Sequence, residues 1–180
     1  MNATDSRELL MLPVTDRDHI RGNVDAPITL LEYGDYECPD CFHAAPIVNQ
    51  VREQFGNKLR FVFRHFPRTT IHPHASEAAQ AAEAAGVQGK FWEMHDVLFK
   101  HQHDLIDHDI THFGLMIGVE LYRFEADVSS QRFAPRVQED YDSGVSSGVK
   151  GTPTFFINDV RYRGKVAVED LGSAIAQQLR

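Results

Sequence analysis

Cys38 and Cys41 are the only cysteines in the 180-residue chain, and two residues separate them. A thiol reacts as its thiolate, and two thiols at this spacing at a helix start can close into a disulfide without large backbone movement. Cys38 would lie at the positive end of the helix macrodipole, where backbone N–H groups favour S⁻. Cys41, one turn inside, would resolve a mixed disulfide, so that an exposed nucleophile works with a sheltered partner. A structural staple is a poor account of the pair, because so short a loop removes little entropy from the unfolded chain. Structural zinc needs four ligands and Cys-x-x-Cys supplies two. The histidines available, including His43, His65, His72 and His74, lack the helical spacing that completes such a site. Attachment of c-type haem needs a histidine where Phe42 stands. Thiol–disulfide exchange, with no metal and no bound cofactor, is the chemistry the residues favour.

The elements around the pair must hold it in place. Ile28 to Tyr33 is a short apolar run with a β-branched start, expected as a central strand buried on both faces. Gly34 ends it and a short loop delivers Cys38. Pro39 stands at the first helical position, where its missing N–H is not needed. Ile47, Val48, Val51 and Phe55 give the helix one apolar face, Pro46 lies inside it as an expected kink, and Gly56 stops it. Leu59 to Phe63 reads as a second strand, parallel to the first because a helix crosses between them. Helical patterns follow over Ala75–Ala85, Phe91–Phe99, Asp109–Ile117, Leu121–Val128 and Arg132–Tyr141. Thr154–Ile157 and Val160–Arg163 flank Asn158-Asp159, a two-residue hairpin turn, and Leu171, Ile175 and Leu179 close with a last helix.

This order predicts an α/β plan: a polar tail over residues 1–18, an α/β domain from 19–71 and 148–180, and an all-helical insertion over 72–147. With 26 acidic against 18 basic residues, the net charge of −8 disfavours nucleic acid as a partner. No apolar run is long enough to cross a membrane. The N-terminal stretch lacks the apolar core of a secretory signal, which points to the cytoplasm, or to the periplasm had a signal been removed.

Four separated segments resemble the DsbA-like thioredoxin-fold oxidoreductases: Glu32 to Cys41, Phe63-Arg64-His65-Phe66-Pro67, Gly89 to His95, and Gly151 to Ile157. The resemblance runs from about His19 to the C-terminus. It implies a thioredoxin-like fold, a central mixed sheet flanked by helices with a helical insertion. It also implies a cis Thr152–Pro153 peptide facing the dithiol, and a Thr152 backbone that pairs with bound substrate. Glu32 matches the family's buried acid. Alternation places it on the strand face of Ile28 and Leu30, where a desolvated carboxyl would have a raised pKa and could exchange protons with Cys41.

Asp40 departs from the family pattern. Its carboxylate, with Glu37 beside Cys38, is expected to oppose the thiolate and to make the couple less oxidising than the periplasmic DsbA type. The cluster His95, His101, His103, His108 and His112 reads as a solvated helical surface, and Trp92 as insertion core. The implied partners are proteins bearing thiols or disulfides, with glutathione as a candidate small thiol. The alternative is a peptide-binding or chaperone-like module whose dithiol is a redox switch. A glutathione-dependent transferase or isomerase is a weaker third reading, since such relatives generally lack paired cysteines. Direction of exchange and oligomeric state are not legible.

Overall fold

The computed structural model of the chain describes residues 8–105 and 110–179. The elements in order are β1 (His19–Gly22), β2 (Ile28–Gly34), α1 (Pro39–Phe55), β3 (Leu59–His65), α2 (Ala75–Gly86), α3 (Phe91–Lys100), α4 (Ile110–Ile117), α5 (Leu121–Ser129), α6 (Ala134–Ser146), β4 (Thr154–Ile157), β5 (Val160–Arg161) and α7 (Val168–Gln178). The strands form a five-stranded sheet in the order β1-β3-β2-β4-β5. The central β2 runs parallel to β3 and antiparallel to β4. This is the thioredoxin-like arrangement, with helices α2 to α6 inserted between β3 and β4.

Local chemistry explains the elements nearest the dithiol. All seven residues of β2 are buried, as a central strand of apolar and β-branched residues requires. Pro39 opens α1 and Gly56 closes it with φ 49°, a backbone state that costs glycine little. Asn158 and Asp159 take φ 45° and 67°, the paired left-handed turn that joins β4 to β5. The sheet separates two apolar layers. On one face Ile28 and Leu30 pack with Cys38, Cys41, Val48 and Val51 of the active-site segment and with α2 and α3. On the other, Leu31 and Tyr33 pack with Val62, Phe66 and Phe156.

The N-terminal segment corrects an expectation. Residues 8–18 were expected within a polar tail, but they dock on the second face of the sheet. Leu10 is buried there, its N–H donates to Asp159 O at 2.8 Å, and Leu9 bridges to Val160. The anchor is Arg64, whose Nε and Nη2 donate to Asp18 Oδ1 and Oδ2 at 2.7 and 3.0 Å. The same guanidinium donates to Leu12 O and Pro13 O at 2.9 and 3.1 Å. His19–Gly22, to which no strand was assigned from sequence, then adds to the sheet edge against β3. The last insertion helix also runs later than expected, from Ala134 with Pro135 in its first turn.

Both side chains of the Arg64–Asp18 pair are buried, so removing one leaves the other uncompensated. Asp18→Ala is expected to cost about 3–5 kcal/mol, read from denaturant unfolding. A loss under about 1 kcal/mol, the range of a surface pair, would contradict this account of the docked segment.

Candidate functional site

A tight turn sets the position of Cys38. Its N–H donates to Asp35 O at 3.1 Å, and its carbonyl accepts the Phe42 N–H at 3.1 Å, which begins α1. Cys38 is thus the residue capping the helix N-terminus, with Asp40 and Cys41 presenting their free N–H groups just above it. The loop bearing Pro153 closes the other side. The Thr152–Pro153 peptide is cis, and the Cys38 thiol donates to Thr152 O at 3.3 Å. Both thiols are free in this state.

Cys38 is 3% exposed and Cys41 0% exposed. The expected contrast between an exposed and a sheltered thiol is therefore not one of exposure. It is one of charge. Cys38 is lowered to about 5, chiefly by the Cys41 thiol, against the opposing effect of burial; the Thr152 hydroxyl and the N–H groups of Cys41 and Asp40 add to the lowering. Cys41 moves the other way, because burial and the neighbouring Cys38 and Glu32 all oppose its ionisation. The surroundings thus favour ionisation of Cys38 and oppose that of Cys41.

The Cys38 pKa falls although the Asp40 and Glu37 carboxylates were expected to raise it. The Asp40 side chain is exposed on the first turn of α1, while its N–H is one of the groups that favour the Cys38 thiolate. The Glu37 carboxylate is engaged elsewhere, accepting the His74 N–H at 2.7 Å. Neither carboxylate is among the main influences on the Cys38 thiol.

Glu32 is 2% exposed, between Phe63 of β3 and Phe155 of β4 in the sheet register. Burial raises it to about 8, the Cys38 charge adds to this, and the Cys41 thiol pulls it back. Its Oε1 has no hydrogen-bond partner among the described residues. Gly34 makes this packing possible: a Cβ there would lie 2.3 Å from the Phe63 ring and 3.1 Å from Glu32 Oε1. Glu32 also lines the inner wall of a cleft of about 310 Å³ between α1 and α3, beside Phe42, His43, Asn49, His95 and Lys100.

Several residues around the dithiol were missed from sequence. Asp35, buried before the turn, accepts the N–H of Glu37 and of Arg68, each at 2.8 Å, and pairs with His72 Nδ1 at 2.7 Å. It ties the cysteine loop to the segment after β3, and its only local trace is the bond to the N–H two residues on, a common habit of aspartate in turns. Gln102, in a short 3₁₀ turn after α3, donates to Tyr36 O and Cys38 O at 2.8 and 2.9 Å. His95 is buried, not solvated, with Nδ1 3.1 Å from the Tyr36 hydroxyl, and burial holds its pKa well below the usual value. Its helical spacing with Phe91, Leu98 and Phe99, all buried, is the signal that would have found it. His103 and His112 are exposed and His101 is half-buried; His108 lies outside the described residues.

Glu32 links the site to pH. The folded chain keeps a proton that the unfolded chain releases, so the resulting stability is full below about 4.5 and is lost as pH rises toward about 8. Glu32→Gln removes that slope. The variant is expected to gain on the parent by up to roughly 1.4 kcal/mol per pH unit across this window, measured by unfolding the reduced proteins at a series of pH values. Parallel pH profiles for the two chains would contradict a buried, neutral Glu32.

Comparisons with known proteins agree with the fold. BdbD from Bacillus subtilis superposes with a TM-score of 0.82 at 22% identity, covering 93% of this chain and 95% of that one. The α-DsbA1 protein of Wolbachia pipientis gives 0.77 at 20% identity, with 94% of each chain covered. Among curated proteins, the Na(+)/H(+) antiporter NhaA 1 of Salinispora arenicola is 47% identical over 167 residues, which are 92% of this chain and 26% of the relative. NhaA 3 of Salinispora tropica is 44% identical over the same shares. The chain therefore spans about a quarter of the length of the curated relatives it matches. The sequence model described as thioredoxin matches residues 14–177, and the chain belongs to that family.

Proposed function

We propose that the protein is a thiol–disulfide oxidoreductase acting on protein thiols and disulfides through Cys38 and Cys41. The observation that carries this reading is the placement of two thiols one turn apart at the start of α1, with Cys38 Sγ 3.3 Å from the Thr152 carbonyl beside the cis Pro153, an arrangement that lowers Cys38 and raises Cys41. Binding alone has no use for such a difference.

In the reducing direction the Cys38 thiolate attacks one sulfur of a substrate disulfide. That S–S bond breaks, the departing sulfur takes a proton from solvent, and Cys38 is left in a mixed disulfide. Cys38 then carries no charge, which removes one of the influences raising Glu32. The ionised carboxylate takes the Cys41 proton, and Cys41 S⁻ attacks Cys38 Sγ, releasing the second substrate thiolate and closing the Cys38–Cys41 disulfide. In the oxidising direction a substrate thiolate attacks Cys38, and neutral Glu32 returns the proton to the departing Cys41. The cleft between α1 and α3 offers Glu32 a route for proton exchange with solvent. Thr152, beside the cis Pro153, presents backbone to an extended substrate segment, while Pro39 and Asp40 lie exposed at the rim. A stabilised thiolate favours the dithiol over the disulfide, so the couple moves to the oxidising side. The Asp40 carboxylate was expected to move it the other way.

Two substitutions test the reading. The parent is expected to reduce insulin disulfides with dithiothreitol as the recycling thiol, and Cys38→Ser is expected to fall to the uncatalysed rate. Cys41→Ala is expected to retain partners as mixed disulfides through Cys38. Turnover that persists in Cys38→Ser, or no mixed disulfide in Cys41→Ala, would reject the enzymatic role.

A further inference from the structure

Four ionisable side chains that the exchange does not use converge from four elements. His19 lies in β1, His65 in β3, Glu83 in α2 and Asp140 in α6. Glu83 Oε1 lies 2.9 Å from His65 Nε2 and 2.9 Å from His19 Nε2. One possible ligand atom from each of His65, Glu83 and Asp140 lies within 4.8 Å of the others, and all three residues are buried. His19 stands at the rim, its side chain 22% exposed. Asp140 also accepts the His65 backbone N–H at 3.1 Å and pairs with Arg136.

Hydrogen bonding within the protein does not satisfy this cluster. His65 Nδ1 is buried and has no partner among the described residues. If Nε2–H donates to Glu83, Nδ1 is an acceptor without a donor; if both nitrogens carry protons, Nδ1–H is a donor without an acceptor. Either state leaves a buried polar atom unmatched, at a cost of about 1–3 kcal/mol. Charge is unbalanced as well. Two buried carboxylates, those of Glu83 and Asp140, stand with one guanidinium, that of Arg136, so a bound cation would supply a compensating charge.

We propose that His65, Glu83 and Asp140 form a binding site for a borderline divalent transition-metal ion such as Zn²⁺, with His19 at the rim orienting the Glu83 carboxylate. Mixed imidazole and carboxylate donors suit Zn²⁺, Co²⁺ or Ni²⁺, whereas Ca²⁺ and Mg²⁺ take oxygen ligands. Ligands about 2.1 Å from one ion lie about 3.0–3.4 Å from each other, so the His65–Glu83 separation of 2.9 Å needs to open by only a few tenths of an ångström, while the Asp140 oxygen, within 4.8 Å of both, needs to close in. Sequence reading gave no hint of the site, because its residues are scattered from His19 to Asp140 without a local motif.

The test is calorimetric titration of Zn²⁺ into the full chain carrying Cys38→Ser and Cys41→Ser, which removes the thiols as competing ligands. One ion is expected to bind per chain, with affinity falling at least about tenfold in Glu83→Gln and in His19→Ala. Co²⁺ is expected to show a ligand-field spectrum that changes in the same variants. Should Glu83→Gln fail to fold, His19→Ala at the partly exposed rim decides. Absence of one-site binding, or affinity unchanged in the folded variants, overturns the site. Tighter binding of Ca²⁺ than of Zn²⁺ overturns the assigned class of metal.

Discussion

The placement of Cys38 Sγ between the N-terminus of α1 and the backbone of Thr152 is the constraint on which the rest depends. A sulfur held there meets helix N–H groups on one side and the Thr152 carbonyl on the other. It can exist as thiol or thiolate without leaving its position. Water has little access to it, so the protein's own dipoles set its charge, and they act at lower dielectric than solvent would allow. The second thiol, one turn deeper with a buried carboxyl nearby, is also buried, and the compensating Asp35 backbone bond is outweighed by burial and its charged neighbours. Two chemically identical groups are thereby given different tasks by three residues of chain.

Holding that sulfur requires long-range ties. Asp35 fastens the turn before Cys38 to the segment after β3, and Gln102 fastens the Tyr36 and Cys38 carbonyls to the end of α3. Tyr36 packs against Phe63 and Phe99 while its hydroxyl meets His95. The helical insertion is therefore part of the site's frame and not an appendage to it. Across the sheet, Arg64 gathers the N-terminal segment onto β3 through Asp18, so the strand beside β2 is braced on its outer face too. Buried charges of this kind add little net stability when paired, yet removing one partner is costly; they are better understood as fixing one arrangement of the loops.

What could be read from sequence divides along the range of the interactions. Pro39 at a helix start, Gly56 at its end and Asn158-Asp159 between two short strands are local chemistry, and each appears where its residue type requires. Glu32 was placed on the core face by alternation as well as by the family resemblance, and it is buried there. The failures involve partners distant in the chain. Residues 8–18 looked polar because their ties are backbone bonds to Arg64, Ser147 and Asp159, which composition does not reveal. Asp40 misled because nearness in sequence was taken for nearness of charge: on the first turn of a helix the side chain points to solvent while the N–H points at the capping residue.

The central claim is that Cys38 is a thiolate at neutral pH while Cys41 is not. The most direct measurement is the ultraviolet absorbance of the thiolate in the reduced protein, followed against pH. A single transition with its midpoint near 5, absent from Cys38→Ser and retained in Cys41→Ala with a higher midpoint, is the predicted result. A midpoint near the ordinary value of 9.0 for a cysteine, or a low transition that survives in Cys38→Ser, would contradict it.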